Sequence, residues 1–220
     1  MRTVNIDFFI RRYGMKKSIL AIFVSFIFVG AAVSQNSKNL IIYFSMHGNQ
    51  VENLTDVNSG SSRVMYDGKL TGITEVIAKM IQDEVDGDIV FLEVAQQNKY
   101  PRTYKAATDV ALKEKNSRTR VPIATHVDVS GYDAVFLGFP TWWSDLPMAY
   151  YTWLDEVDLS GKNVYVFCTS GGSGMVNTIN AIQKAAPNAR VAKQGFHVYY
   201  TRAVNAKQDV AAWLMQVGAK

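Results

Sequence analysis

The chain has 220 residues, of which 48% are hydrophobic and 19% are charged, a balance typical of a globular domain and not of a disordered chain. The net charge is +4, but residues 1–34 hold five basic residues and one acid, so the rest of the chain has 18 groups of each sign. A neutral body gives no electrostatic reason to expect a nucleic-acid partner. The single cysteine, Cys168, excludes an internal disulfide and a CxxC metal site.

The first 34 residues have the pattern of a targeting segment. An apolar run of 16 residues, Ser18–Val33, follows the basic segment Met15–Lys17 and ends in small residues. This order is typical of a secretory signal peptide, and the run is shorter than the roughly 20 residues of a membrane-spanning helix. We therefore predict a signal peptide over 1–34, export to the periplasm and a mature domain over 35–220. An uncleaved anchor, a true start at Met15 and a twin-arginine signal are the alternatives.

Strands and helices alternate through the rest of the chain. Short, continuous apolar runs predict strands that are buried on both faces, at Asn39–Ser45, Asp88–Val94, Ala134–Phe139, Asn163–Thr169 and Gly195–Tyr200. Helical periodicity between and after them predicts helices at Thr74–Val85, Thr103–Lys115, Pro147–Glu156, Val176–Ala186 and Asn205–Val217. This alternation predicts an α/β fold with a doubly wound, five-stranded parallel sheet and helices on both faces.

One insertion interrupts the alternation. The segment Met46–Thr71 separates the first predicted strand from its helix, where about 2–6 residues are usual. Its Arg63–Leu70 part contains an Asp67-Gly68 turn signal, which predicts a small hairpin. Ligands of such sheets bind beyond the carboxyl ends of the strands, so we expect the insertion to overhang the ligand site. It would be either a lid or a tolerated surface loop.

The loop after the first predicted strand has the composition of an anion site. Ser45 and the segment Thr71–Thr74 combine hydroxyl groups, a small turn residue and the N–H groups of a helix N-terminus, without a Lys or Arg. A helix capping box is the alternative for the second segment. The segment Ser45–Gln50 is another candidate for the anion loop. We prefer the later segment because Val51–Ser62 has no helical periodicity.

The loops after the third and fourth predicted strands suit a flat heterocycle. In the first of them, Pro140–Trp143 contains two adjacent indoles, which can stack on a planar ring or border it. We expect one of the two to fill the core instead. In the other, Thr169–Gly174 is rich in glycine, so its backbone can approach a ligand closely. A flexible surface loop is the alternative for this segment.

Together these segments resemble the flavodoxin-like flavoproteins, in the branch with a long insertion after the first strand. Ser45 and Thr71–Glu75 are similar to the (T/S)-x-T-G-N-T loop that holds the FMN phosphate in that family. Gly138–Trp143 and Thr169–Gly174 are similar to the loops that flank the isoalloxazine ring. The resemblance covers residues 38–218 and implies strand order 2-1-3-4-5. Ile73 departs from the usual Asn, which removes one side-chain hydrogen bond near the phosphate.

The resemblance implies FMN as the cofactor and FMN-linked electron transfer as the function, with redox proteins or a small electron acceptor as partners. FMN itself would carry the redox step, and no catalytic side chain or metal is predicted. The residues that the resemblance assigns to the cofactor are Ser45, Thr71, Gly72, Ile73, Thr74, Pro140, Thr141, Trp142, Trp143, Thr169, Ser170, Gly171, Gly172 and Gly174. Two alternatives are an FMN-dependent NAD(P)H:quinone-type reductase and a cofactor-free binding module on the same fold.

Overall fold

The computed structural model describes residues 38–51 and 63–220. The predicted signal peptide at 1–34 and the 52–62 part of the insertion lie outside the described residues. Within the described ranges, every helix is too short or too polar to span a bilayer.

The described elements follow the predicted alternation. The strands are β1 (Asn39–Tyr43), β2 (Arg63–Tyr66), β3 (Lys69–Gly72), β4 (Gly87–Phe91), β5 (Ala134–Pro140), β6 (Asn163–Ser170), β7 (Arg190–Val191) and β8 (Phe196–Tyr199). The α-helices are α1 (Ile73–Val85), α2 (Tyr104–Ser117), α3 (Met148–Glu156), α4 (Thr178–Ala185) and α5 (Lys207–Gln216). Short 3-10 helices cover Gln96–Asn98 and Tyr200–Asn205.

The central sheet is parallel, and its strand order is β4-β1-β5-β6, followed by β7 and β8. The short β7 pairs with the start of β6, and β8 pairs with its end. The predicted doubly wound order is therefore confirmed, with β8 as the predicted fifth strand, and the short β7 is an additional strand that was not predicted. Gly195 lies just before β8, where a Cβ would stand 2.8 Å from the Val166 carbonyl oxygen, so only glycine fits this approach to β6.

Both faces of the sheet are buried, which explains the continuous apolar runs. Leu40 and Ile42 of β1 point into a core that also contains residues of α2, α3 and α4. Ile41 and Tyr43, which alternate with them, point into a second core formed with α1 and α5. Because a strand directs successive side chains to opposite faces, burial of both faces requires apolar residues at every position.

The predicted hairpin is confirmed as β2 and β3, which pair antiparallel. Its turn residues Asp67 and Gly68 have φ values of 48° and 74°, as a two-residue turn with two left-handed positions requires. Val64 and Tyr66 pack against the α1–α5 core, whereas Met65 on the opposite face is 62% exposed. The hairpin is therefore a small appendage that is anchored along one face.

Two helices begin two residues later than the sequence predicts, each for a local reason. The fourth predicted helix was expected from Val176, but α4 begins at Thr178. Val176 has a φ of 42°, a left-handed conformation that no α-helical residue adopts. The last helix was expected from Asn205, but that residue ends the 3-10 turn, and α5 begins at Lys207.

Candidate functional site

A cavity of about 620 Å³ opens where β1, β5 and β6 end at their carboxyl edge. This volume lies within the roughly 300–1,000 Å³ that is usual for small-molecule sites. The lining combines hydroxyl groups, two indoles and glycines with one face of α2. The residues that form it are Ser45, Met46, Gln50, Thr74, Tyr104, Ala107, Thr108, Ala111, Pro140, Thr141, Trp142, Trp143, Ser144, Thr169, Ser170, Gly171, Gly172 and Ser173. None of these described lining residues carries a charge.

The cavity brings the three predicted loops together. Ten of the residues assigned to the cofactor line it, namely Ser45, Thr74, Pro140, Thr141, Trp142, Trp143, Thr169, Ser170, Gly171 and Gly172. The other four, Thr71, Gly72, Ile73 and Gly174, lie next to the lining and not in it. The convergence of these loops was expected from the doubly wound topology, because the carboxyl ends of parallel strands meet at one edge.

Pro140 and Ser170, which were predicted to lie in loops after the third and fourth strands, are instead the last residues of β5 and β6. Pro140 pairs with Thr169 in the last step of the β5–β6 ladder. Ser170 pairs with Tyr199 in the last step of the β6–β8 ladder. Ladder pairing therefore continues to the edge of the cavity, which gives these residues a more rigid backbone than a free loop would have.

The N-terminus of α1 meets the end of β1 at one end of the site. Helix α1 begins at Ile73, directly after Gly72, and no side chain of the N-cap residue caps it. The Thr71 hydroxyl donates to the Lys69 carbonyl oxygen at 3.2 Å, so the capping-box alternative is wrong. A Cβ on Gly72 would lie 2.2 Å from the Ser45 Oγ, which explains why glycine stands at this close approach.

Ile73 is buried in the core that α1 and α5 share, and its side chain is 1% exposed. The position at which the resemblance implies Asn therefore serves packing in this chain. The apolar side chain does not enter the cavity lining. Its backbone N–H stays at the helix N-terminus, where N–H groups and the helix dipole favour an anion.

The competing segment Ser45–Gln50 is mainly a structural turn. Asn49 is fully buried, and its amide donates to the carbonyl oxygens of Ser45 and Leu92, both at 3.0 Å. The same side chain accepts from the Val94 N–H at 2.9 Å. From this segment, Ser45, Met46 and Gln50 reach the lining. The structure confirms that the helix follows the later segment, which was the reason for preferring it.

Hydrogen bonds tie the three loops to one another. The hydroxyl groups of Thr74 and Thr169, which are both buried, lie 2.9 Å apart. The Thr141 hydroxyl donates to the Gly174 carbonyl oxygen at 2.8 Å, and the Thr141 N–H donates to the Thr169 carbonyl oxygen at 2.9 Å. Thr169 is therefore linked both to the first helix and to the tryptophan loop, which fixes the relative positions of the loops.

The two tryptophans differ in their surroundings. Trp142 packs edge-on against Phe44 and Tyr100, with ring centroids 5.2 and 5.1 Å away. Trp143 is 45% exposed and has a left-handed φ of 51°, and its indole N–H donates to the Thr108 carbonyl oxygen at 3.0 Å. One of the pair was expected to fill the core, and Trp142 packs against it. Trp143 instead stands at the mouth of the cavity.

Helix α2 supplies a wall that sequence reasoning did not assign to the site. Tyr104, Ala107, Thr108 and Ala111 line the cavity, and their spacing of three and four residues places them on one helix face. Ala107 and Ala111 are small, so they leave room in front of the helix. The signal was present in the sequence as small residues at helical spacing, on the helix that follows the second strand of the central sheet.

A cation and an imidazole lie near the wall at the Ser45 end. Arg63 of β2 is buried, and one of its guanidinium nitrogens lies 3.5 Å from the Oε1 of Gln50, which lines the cavity. The His47 Nδ1 is buried and has no hydrogen-bond partner among the described residues. Burial, with a smaller contribution from the Arg63 charge, lowers the pKa of His47.

Met46 and Gln50 of the insertion line the cavity, but the hairpin of the insertion does not cover it. Residues 63–70 are absent from its lining, and β2 and β3 lie beside α1 instead. The expectation that the insertion overhangs the site is therefore wrong for the hairpin, whose inner face is used for packing. The 52–62 part lies outside the described residues.

Comparison with known proteins agrees with this geometry. A family model for flavodoxins matches residues 64–217. Flavodoxin 1 of Salmonella typhimurium is 30% identical over 111 residues, which cover 47% of this chain and 46% of that protein. The chain thus matches less than half the length of this curated relative.

Solved structures share the fold over most of the chain. A Bacteroides eggerthii protein, classed provisionally as a flavoprotein, is 25% identical and has a TM-score of 0.61, covering 84% of this chain and 99% of that one. A flavoprotein from Lactobacillus acidophilus, solved in complex with FMN, is 19% identical with a TM-score of 0.54, covering 78% and 99%. Since the family model spans well over half of the residues, the chain belongs to the flavodoxin family.

Proposed function

We propose that the cavity binds FMN and that the protein transfers electrons between redox partners. One observation carries this proposal. Three loops from different parts of the chain meet around one uncharged cavity, with hydroxyls and a helix N-terminus at one end and indoles and glycines at the other. The Lactobacillus acidophilus relative of the same fold binds FMN, which supports the same ligand for this chain.

The residues at the Ser45 end suit the phosphate of FMN. Ser45 and Thr74 offer hydroxyl groups, and the first turn of α1 offers backbone N–H groups that no N-cap side chain occupies. Gly72 leaves the space in which a larger residue would collide with Ser45. Without a cation in the lining, these dipoles would carry the phosphate, and the Arg63 charge would act from behind Gln50.

The other end of the cavity suits the isoalloxazine ring. Trp142 and Trp143 offer aromatic surface, and Gly171 and Gly172 allow the backbone to come close to a planar ligand. When bound, FMN supplies the reversible uptake and release of one or two electrons. The chain's own residues bind and orient it and exclude water. Their lack of charge disfavours additional negative charge on the ligand.

The cysteine close to the site is unsuited to act as a nucleophile. Cys168 is buried in β6, and burial raises the pKa of its thiol to about 11. A thiol with such a pKa is protonated at neutral pH and therefore unreactive. We propose an electron carrier, in which the bound cofactor and not a side chain performs the chemistry. Export to the periplasm, proposed from the pattern of residues 1–34, would place this carrier outside the cytoplasm.

The test is the visible spectrum of the purified domain from residue 35 onward, recorded after incubation with FMN and gel filtration. We expect flavin absorption to stay with the protein, and Thr74→Val to weaken FMN binding at least tenfold because it removes a buried hydroxyl of the site. Thr119→Val is the matched control, since Thr119 is exposed after α2 and outside the lining.

A folded, colourless protein that ignores FMN would overturn the proposal and favour a cofactor-free binding module. Rapid oxidation of NADPH by the yellow protein, with a quinone as acceptor, would favour the reductase alternative instead. The proposed carrier should oxidise NADPH no faster than free FMN does.

A further inference from the structure

A second concave surface lies on the α2–α3–α4 side of the fold, outside the proposed FMN cavity. It is a groove of about 610 Å³ between the end of α2, the outer face of α3 and the end of α4. We call it the basic groove, because its charged lining residues are four cations, Lys115, Arg118, Arg120 and Lys184, and two carboxylates, Asp145 and Asp155.

The two carboxylates offset only half of the charge of the four cations, which leaves the groove with a net charge of +2. Asp155 pairs with Arg120 at 2.5 Å, and Asp145 accepts hydrogen bonds from the Tyr151 hydroxyl and the Leu146 N–H, both at 2.8 Å. Arg118 and Lys184 are exposed and form no ion pair within the described ranges. Lys115 donates to the Trp143 carbonyl oxygen, a contact that leaves its charge unneutralised.

The only acidic residue in the segment from Lys113 to Arg120 points inward. Glu114 accepts a hydrogen bond from the buried Tyr100 hydroxyl at 3.0 Å, and burial raises the pKa of this carboxyl. The outward charges of the segment are therefore all positive. Because the single acid of this segment does not face the surface, its cations create a local positive field. The residues after 34 as a whole have equal numbers of basic and acidic groups.

The basic groove shares a wall with the proposed FMN cavity. Trp143 and Ser144 line the cavity, whereas the next residue, Asp145, lines the groove. This wall is a tight turn in which the N–H and carbonyl groups of Trp142 and Asp145 exchange two hydrogen bonds of 2.9 Å. Lys115, which lines the groove, donates a hydrogen bond to the Trp143 carbonyl oxygen in this turn. A macromolecule seated on the groove would therefore also cover Trp143.

We propose that the basic groove docks an acidic redox protein and holds it against the Trp143 edge of the FMN cavity. The groove supplies charge, and the neighbouring cavity mouth supplies apolar contact through Trp143 and Tyr104, which are 45% and 48% exposed. Aromatic residues beside a charged rim are typical of a protein interface, in which the charges govern approach and orientation. This inference rests on the proposed function and names the class of partner.

The test is the rate at which the reduced FMN-loaded protein reduces cytochrome b5, a small acidic haem protein, followed by stopped flow at increasing salt. Steering by opposite charges weakens as salt screens them, so we expect the rate to fall roughly tenfold or more between about 10 and 200 mM salt. Arg118→Glu combined with Lys184→Glu should lower the low-salt rate at least tenfold and remove most of the salt dependence.

The matched control carries the same change of net charge at a different place. Lys69→Glu combined with Lys207→Glu alters exposed lysines of β3 and α5, elements on the other side of the sheet. This variant should behave like the unmodified protein. An equal loss of rate in both variants, or faster reduction of the basic cytochrome c with the same salt dependence, would overturn the proposal.

Two further measurements separate this inference from the proposed function and from a small ligand. If the protein retains no FMN, fluorescence anisotropy with a labelled ten-residue polyglutamate peptide tests the groove alone, and binding should be lost in the Arg118/Lys184 variant only. Lack of peptide binding would overturn the docking surface. Inorganic pyrophosphate tests for a small anion. If its binding requires Arg118 and Lys184 while substitution of these residues leaves cytochrome b5 reduction unchanged, the groove binds a small anion, and the docking proposal is overturned.

Discussion

The Ser170 hydroxyl oxygen lies 2.9 Å from the Nε2 of His197. The same oxygen accepts the N–H groups of Gly172 and Gly174, at 3.2 and 3.0 Å. A hydroxyl group has two acceptor positions and one proton, so both acceptor positions are used and the proton must go to His197. The network therefore assigns the neutral imidazole with its proton on Nδ1, which makes His197 part of the support of the glycine-rich cavity wall.

Protonation of His197 would remove this acceptor. Burial lowers the pKa of His197 below its usual value of about 6.5, so the neutral form prevails at pH 7. In the unfolded chain the imidazole binds a proton more readily, so the contribution to stability is full above about pH 6.5 and is lost as the pH falls through the folded-state pKa. We expect FMN affinity to decrease in the same pH range, because the Ser170 hydroxyl then no longer holds the Gly172–Gly174 backbone in the same way.

The measurement is the FMN dissociation constant between pH 7.5 and 5. We expect it to rise several-fold in the unmodified protein and much less in His197→Gln, whose amide oxygen accepts a hydrogen bond without titrating. The pKa of His47 is also lowered by burial, so His47→Gln must be measured in parallel. An unchanged pH profile in His197→Gln would contradict the assignment.

A substitution at Gly72 tests whether α1 must lie this close to the end of β1. In Gly72→Ala the new Cβ would stand 2.2 Å from the Ser45 Oγ, so the Ser45 side chain must move. Overpacking of this kind costs about 1–3 kcal/mol of the free energy of unfolding, and we expect FMN affinity to fall as well. Urea unfolding and FMN titration are the readouts. Gly131→Ala, whose Cβ would meet only the Lys38 Nζ at 3.9 Å, should leave both unchanged.

We expect Trp142 to contribute mainly to the free energy of unfolding and Trp143 mainly to FMN binding. Trp142→Ala removes edge-on contacts with Phe44 and Tyr100, so we expect a loss of about 3 kcal/mol in the free energy of unfolding. Trp143 is largely at the surface, and Trp143→Ala should change stability by only about 0.5 kcal/mol while weakening FMN binding roughly tenfold. Thermal unfolding and flavin fluorescence titration of both variants decide this. The reverse pattern would contradict the assigned roles.

Tyr150 connects two neighbouring strands beneath the site. Its buried hydroxyl lies 2.9 Å from the Ile42 carbonyl oxygen and 2.7 Å from that of Gly138, and it accepts the Gly138 N–H at 3.1 Å. Tyr150→Phe leaves these backbone groups without the hydroxyl, so we expect a loss of about 1–3 kcal/mol by urea unfolding. Tyr199→Phe, at an exposed position, is the control. Equal urea midpoints for Tyr150→Phe and the unmodified protein would show that the hydroxyl stabilises nothing.

Much of the fold was predictable because local patterns and chain connectivity restrict it strongly. The five predicted strands occur, and the Asp67-Gly68 turn signal predicted the hairpin. The short strand β7 was not predictable. It has only two residues, Arg190 and Val191, which are too few to show a periodic pattern, and it is defined by pairing with the start of β6.

The site was predictable only in outline. Topology indicated the edge of the sheet, and small or aromatic residues indicated the loops. The wall formed by α2 was not assigned to the site, although its residues were at helical spacing. His197 was not assigned to the site, since only the β6–β8 pairing places it near Ser170.

The sequence by itself determined the parallel α/β architecture, the buried strands and the sheet edge at which a ligand binds. It did so because burial on both faces demands continuous apolar runs, and because alternating strands and helices allow few topologies. Only the tertiary structure decided which hydroxyls face each other, which tryptophan packs inward and which cations share a groove. These relationships join residues far apart in the chain, and their distances depend on packing between elements and not on the pattern within any one element.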